Sequence, residues 1–222
     1  QGLDAYHIPY LVELSADVSL DLLVNAINRV IRRHPVLKTV YQQHADVDYQ
    51  HILEHDVTIT KVVLPNEQAM FDDVQSQVSR SFDLTCEPSI RLHHYQTDTK
   101  GFLFILWHHI AFDGWSVNLF MSELSTIYSA EKSAKPVSLP EQTFQYIDYS
   151  VWQRDLLQGE FLQRLQEYWQ AQLADYETLA LPTDFPRPGV RDYRGNEFEF
   201  SISPELSTQL RSLAMEQETT LY

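Results

Sequence analysis

Between residues 18 and 34 the apolar positions Leu20, Leu23, Val24, Ile27, Val30 and Ile31 recur at intervals of three and four. Ser19 stands where an N-cap is needed, so the spacing predicts an amphipathic helix, which Pro35 ends. The runs VLKTVY (36–41), YQHIL (49–53) and VTITKVV (57–63) read as strands, the first two joined by a polar loop. A second helix is expected from about 66 to 82, with Met70, Val74 and Val78 on one face. IRLHHYQ (90–96) and GFLFILW (101–107), separated by TDTK, predict a hairpin. The second of these strands is apolar at every position, the composition of a strand buried on both faces. A third helical stripe runs through Val117, Phe120, Met121, Leu124, Ile127 and Tyr128. KPVSLP (135–140) reads as a loop, 144–173 as a long helical region broken at Gly159, and LPTDFPRPGVRDYRG (181–195) as a surface connection. EFEFSIS (197–203) reads as a strand, and Pro204 opens a last helix expected to be still running at Tyr222. Strands and helices mixed in this order predict an α/β (α+β) architecture, a mixed sheet packed by helices.

Composition narrows the function classes. With 222 residues, 44% of them hydrophobic, the chain can bury a sizeable core, and it has no apolar run of 18 residues, so a disordered or membrane-spanning protein is not expected. The single cysteine, Cys86, leaves no internal disulfide and no thiolate zinc site. Together with the lack of a signal peptide at the start, it points to a reducing cytoplasm. A net charge of −15 opposes nonspecific binding to nucleic acid or to an anionic membrane; any phosphate-bearing partner has to be met by a local basic feature.

The candidate chemistry lies where the most apolar strand ends, in LWHHIAFDGWS (106–116). Successive strand residues face opposite sides, so His108 and His109 do not both reach one cavity, and one of them is expected to be structural. The spacing also opposes a metal site, since a chelating pair is placed at i, i+2 on a strand or i, i+4 on a helix. His93 and His94 form a second pair with no Asp-Gly after it, and are read as hairpin residues without chemistry. After the first pair, Asp113-Gly114 breaks the strand, Gly114 permits unusual backbone geometry, and the next helix aims its N-terminal N–H groups at the turn. An imidazole beside such donors suits acyl transfer: a group to hold the proton of an attacking amine or hydroxyl, and dipoles for the oxyanion. No G-x-S-x-G nucleophile is present, which favours direct transfer over a covalent intermediate.

WHHIAFDGWS resembles the HHxxxDG motif of the condensation domains of nonribosomal peptide synthetases. RHPVLKTVY (33–41) resembles their RHExLRTxF motif, with proline for the acid and lysine for the second arginine, and YIDYSVWQR (146–154) resembles YxDYxxWQ. SFDLTCEPSIR (81–91) and YWQAQLADYETLALPTDFPRP (168–188) fit as well. The resemblance implies a lobe like chloramphenicol acetyltransferase, residues 1–175 forming the N-terminal lobe and 176–222 the connection and the truncated start of a second lobe. The chain opens just after the position of the family's SxAQxRLW motif, and the second lobe's motifs are absent. The fragment is therefore expected not to form peptide bonds alone, and to expose apolar surface that the second lobe covers.

The resemblance implies amide-bond formation between a donor acyl or peptidyl thioester and an acceptor aminoacyl thioester. Both would arrive on the phosphopantetheine arms of upstream and downstream peptidyl carrier domains, next to an adenylation domain, with no cofactor or metal bound by the chain itself. His109 is then the second motif histidine near the reacting amine, acting as base or as a positioning group, with His108 beside it. Gly114 would leave room for the arm and lend its N–H to the oxyanion, with Trp115 and Ser116 alongside. Asp113 would hold the motif loop through an ion pair, with Arg33 the expected partner and Arg91 second; Lys38 lacks the bidentate fork. Tyr146, Asp148 and Trp152 are expected to serve packing. The alternatives are an epimerisation domain on the same scaffold, a free-standing acyltransferase using a coenzyme A thioester, and a noncatalytic module that docks a carrier domain or another enzyme.

Overall fold

A computed structural model describes residues 3–45, 47–186, 189 and 198–221. They fall into two units, Leu3–Pro186 and Arg187–Tyr222, each with its own internal contacts. In the first, a 3-10 turn at Leu3–Tyr6 leads into β1 (His7–Leu14), followed by α1 (Leu20–Arg33), a second 3-10 turn (Pro35–Lys38), β2 (Thr39–His44), β3 (Val47–Ile52) and β4 (Ile59–Val63). Then come α2 (Glu67–Ser79), β5 (Ile90–Gln96), β6 (Gly101–His108), α3 (Gly114–Lys132), α4 (Tyr146–Leu156) and α5 (Gly159–Gln172). The second unit carries α6 (Pro204–Glu216).

Four strands make a mixed sheet in the order β1-β6-β5-β4, with β6 antiparallel to both neighbours and β4 parallel to β5; β2 and β3 form a separate hairpin. The uniform apolarity of β6 follows from its central place, because both faces are covered. Leu103, Ile105 and Trp107 pack with Ile90 and Leu92 against α1 and α3, through Ile27, Val30, Ile31, Phe120 and Ile127. Phe102, Phe104 and Leu106 pack with Tyr95 against Met70 and Val74 of α2.

Several elements differ from the sequence expectations, each for a local reason. HIPYLVEL forms β1 although Pro9 interrupts it, because β1 lies at the edge of the sheet and Pro9 is exposed opposite Leu106. The run at 36–41 begins as a 3-10 turn, in which Leu37 N–H donates to His34 O and Thr39 Oγ1 donates to Pro35 O; the strand starts only at Thr39. Val57 precedes β4 and is held by the buried Asn28 side chain, which donates to Val57 O (3.1 Å) and accepts from Val57 N (3.0 Å). α2 stops at Ser79, freeing Phe82 to turn inward. Gly159, at φ +54°, divides the long helical region as the pattern predicts. The strand expected at 197–203 is not formed by the described residues 198–203, which find no strand partner, and α6 ends at Glu216, before Glu218 takes a left-handed conformation. Most of the connection expected at 181–195 lies outside the described residues.

Candidate active site

β6 ends at His108, and the chain then folds into a tight turn. Three hydrogen bonds fix it: His109 N–H donates to Tyr6 O (2.8 Å), Ala111 N–H to His108 O (3.1 Å), and Ile110 N–H to Nδ1 of His108 (3.1 Å). Because that nitrogen accepts, the neutral His108 ring carries its proton on Nε2. The ring sits among Tyr6 (stacked, 6.1 Å between centroids), His7 (5.9 Å) and Phe82 (5.5 Å), the last two edge-on. Burial, then the neighbouring His7, His109 and Arg91, push the His108 pKa below the ordinary imidazole range. His108 is thus a neutral strut. His109 leaves the strand in the other sense and is exposed, and its ring has no hydrogen-bond or ring partner among the described residues.

Asp113 does not make the ion pair expected with Arg33. Its Oδ1 accepts from Ser116 N–H (2.9 Å) and from Ser116 Oγ (2.6 Å), which makes it the N-cap of α3. The Ser116 hydroxyl, then its backbone N–H, hold the Asp113 carboxyl below the usual carboxylate range, with a smaller contribution from His109. Arg33 is used elsewhere: Nε and Nη2 each donate to Glu123 (both 3.1 Å), and Nη2 also donates to Pro140 O (2.8 Å). Glu123 is only 5% exposed and is also bonded by His34 Nε2 (2.9 Å). Burial works against its ionisation, but the bonds from Arg33 and His34 prevail and keep its pKa low. The physical reason for the correction is distance along α3, since ten residues separate Asp113 from Glu123, roughly 15 Å of helix.

Arg91, the second expected partner, is committed too. It pairs with Glu87 (2.7 and 3.1 Å), donates to Arg80 O and Ser81 O, and lies 3.8 Å over the Phe82 ring. It therefore braces the wall of the His108 cage. Gly114 is an ordinary first helical residue without a positive φ, and a Cβ added there meets nothing within 4 Å. The backbone freedom expected of this glycine is not used, but open space lies beside it. Trp115 is 88% exposed, and Ser116 has its hydroxyl committed to the cap while also lining a small apolar pocket of about 80 Å³ with His34, Val36, Leu37, Phe112 and Phe120. The third motif segment reaches the same region by backbone: Gln145 Nε2 donates to Arg33 O (3.2 Å), and Asp148 closes a capping box on Gln145 N–H (2.8 Å). Tyr146, Tyr149 and Trp152 stand exposed along α4.

Two contributors gave no usable signal in the sequence. His7, opposite His108 in the β1/β6 register, fixes its own ring by donating from Nδ1 to Val78 O (2.6 Å), and Glu123 is a polar position within an apolar helical stripe. Among the described residues no cluster of three or more metal-ligating side chains occurs, and no helix is long and apolar enough to cross a membrane.

An exposed imidazole on a hydrogen-bonded turn, beside the N-terminus of a 19-residue helix, can hold a proton next to favourably oriented amides. The chain is 31% identical over 221 residues to tyrocidine synthase 2 of Brevibacillus parabrevis, covering 98% of the chain and 6% of that protein. It is 31% identical over 229 residues to a dimodular nonribosomal peptide synthase of Bacillus subtilis strain 168, covering 98% of the chain and 10% of that protein. Its fold superposes on the X-domain in the complex of X-domain and OxyB from teicoplanin biosynthesis with a TM-score of 0.81 at 22% identity, over 97% of this chain and 49% of the other. The chain thus spans a small fraction of these synthetases and about half of the solved fold. The condensation-domain family matches residues 1–222, and the chain belongs to that family.

Proposed function

We propose that this chain supplies the N-terminal lobe of a condensation domain that joins a donor thioester to an acceptor amine, both delivered on phosphopantetheine arms by carrier domains of a larger synthetase that also holds an adenylation domain. The observation that carries the reading is the exposed His109 ring, without a hydrogen-bond partner among the described residues, on a turn held by three hydrogen bonds and followed by the Asp113 cap. The acceptor amine attacks the thioester carbonyl, a C–N bond forms, the C–S bond breaks, and the amine's proton leaves through His109 or nearby water while the departing thiolate takes up a proton. The Gly114 amide donates to no described residue and is free to face the developing oxyanion, and the open space beside its Cα admits an extended arm.

His109→Ala in the full-length synthetase, assayed with two loaded carriers, is expected to lower product formation about 100-fold or more, with carrier binding unchanged. Unchanged turnover would overturn the proposal and favour a docking role. The 222-residue chain alone is expected to give no product.

A further inference from the structure

One member of the second histidine pair, to which the sequence assigns no chemistry, lines a polar groove at the β4 edge of the sheet. The groove has a volume of about 240 Å³ and lies between the segment before β4, the end of α2 and the start of β5. His93 lines it, on the same side of β5 as Arg91 and Tyr95. This ring is only 6% exposed, yet neither of its nitrogens has a hydrogen-bond partner among the described residues; Nδ1 is enclosed by protein, which leaves Nε2 as the nitrogen open to a ligand. A buried imidazole left in that condition calls for an explanation.

Among the other groups lining the groove, Arg91 is committed to Glu87, Arg80 O and Ser81 O, but several donors are unused and both carboxylates are taken. No hydrogen bond engages the Arg80 guanidinium, whose nearest anion is Glu87 at 3.9 Å. The hydroxyls of Thr58 and Thr60 make no hydrogen bond to any described residue, and His55 uses only Nδ1, toward Asp56 O. Glu87 is neutralised by Arg91, and Asp56 by Arg32. Behind His93, Asp73 accepts from the Tyr95 hydroxyl (2.6 Å). Spare donors on a chain of net charge −15 form the local basic feature that a phosphate-bearing ligand requires.

We propose that this groove binds a phosphate group, free or as a monoester, with Arg80 and His93 as its principal donors and Thr58 and Thr60 at its rim. Burial holds the His93 pKa down, so the empty groove contains a neutral ring with one N–H to donate, and a dianion seated there favours its protonation. The site is independent of the acyl-transfer reading.

The test is a titration of the 222-residue chain at about pH 7.5 with inorganic phosphate and, separately, methyl phosphate, following the His93 ring signals by NMR with sodium chloride at matched ionic strength as control. Saturable shifts with a Kd of roughly 1 mM or tighter are expected, weakened at least about tenfold in Arg80→Ala. The Arg80 side chain makes no hydrogen bond to any described residue and only a 3.9 Å exposed ion pair with Glu87, so that variant is expected to fold; Thr60→Val is expected to weaken binding less. Tighter binding of methyl phosphate identifies a monoester as the ligand, tighter inorganic phosphate the free ion, and either result supports the site. No saturable shift, the same shift with chloride, or equal affinity in Arg80→Ala overturns it.

Discussion

Removing Arg33 tests which carboxylate it serves. In the structure its fork makes two 3.1 Å bonds to Glu123, a side chain 6% exposed, and the arginine itself is mostly covered. Arg33→Ala leaves that buried carboxylate with the His34 Nε2 hydrogen bond as its remaining side-chain contact among the described residues. Losing one partner of a buried pair costs about 3–5 kcal/mol; the retained His34 bond and partial solvent access to Arg33 bring the expectation to about 2–3 kcal/mol. With a urea m-value of about 2 kcal/mol/M, the midpoint falls by roughly 1 M. The assay is urea unfolding followed by circular dichroism, run as two double-mutant cycles, Arg33→Ala with Glu123→Gln and Arg33→Ala with Asp113→Asn. Coupling of about 1–3 kcal/mol is expected in the first and about zero in the second. The Glu123 pKa is lower in the folded chain than its ordinary value of 4.5, so its contribution is complete above that value and is lost as the pH falls through the depressed folded value. The Arg33→Ala penalty therefore shrinks in acid. Strong coupling of Arg33 to Asp113 with none to Glu123 would refute the assignment.

Three further outcomes follow from the same geometry. Asp113→Ala removes the α3 cap and is expected to cost about 1 kcal/mol by urea unfolding, most of it recovered by Asp113→Ser; since the folded Asp113 pKa is depressed, the penalty is full above about pH 3.8 and fades below it. Gly114→Ala, with no close contact and no positive φ, is expected to stabilise the chain by about 0.5–1 kcal/mol, while product formation in the full-length synthetase falls if the arm uses that space; a loss of stability would show that the glycine has a conformational role. Asn28→Ala strands both polar groups of Val57 and is expected to cost about 2–3 kcal/mol, with faster amide exchange at Val57; a neutral result would mean that water replaces both bonds.

Most of the elements are legible in the sequence because period and burial coincide. Leu23, Ile27, Val30 and Ile31 of the first stripe and residues 102–107 of the apolar run all lie in the packed core, so their patterns match their surroundings. What the sequence hides is pairing at long range. Pro9 argues against a strand unless one knows that it lies at an edge, and Glu123 is anchored by Arg33 and His34, about ninety residues away. Arg33, His34 and the Gln145 region do lie together, but the resemblance gave the wrong partner for Arg33, because it transmits residue identities without the distances between them. EFEFSIS alternates like a strand, yet alternation describes a strand's faces and does not supply one to pair with.

Asp113, the cap of α3, and Glu123 within that helix divide the work of fixing the motif turn. Asp113 caps the first turn of the helix and so fixes where the chain leaves the His109 turn; Glu123, nearly three turns on, ties the same helix to the end of α1 through Arg33 and His34. His108 is held by the rings of Tyr6, His7 at the start of β1, and Phe82, over which Arg91 lies. The fixing groups come from segments far apart in the chain: His7 and Arg91 lie on strands, Arg33 and Glu123 on helices, and Asp113 and His34 at helix ends. Placing a reactive group to within a fraction of an ångström requires support of this kind. It also explains why the first histidine has to be neutral and enclosed: a cation at His108 would weaken the Ile110 bond, since a protonated Nδ1 cannot accept, and the turn that presents His109 would lose one of its three hydrogen bonds.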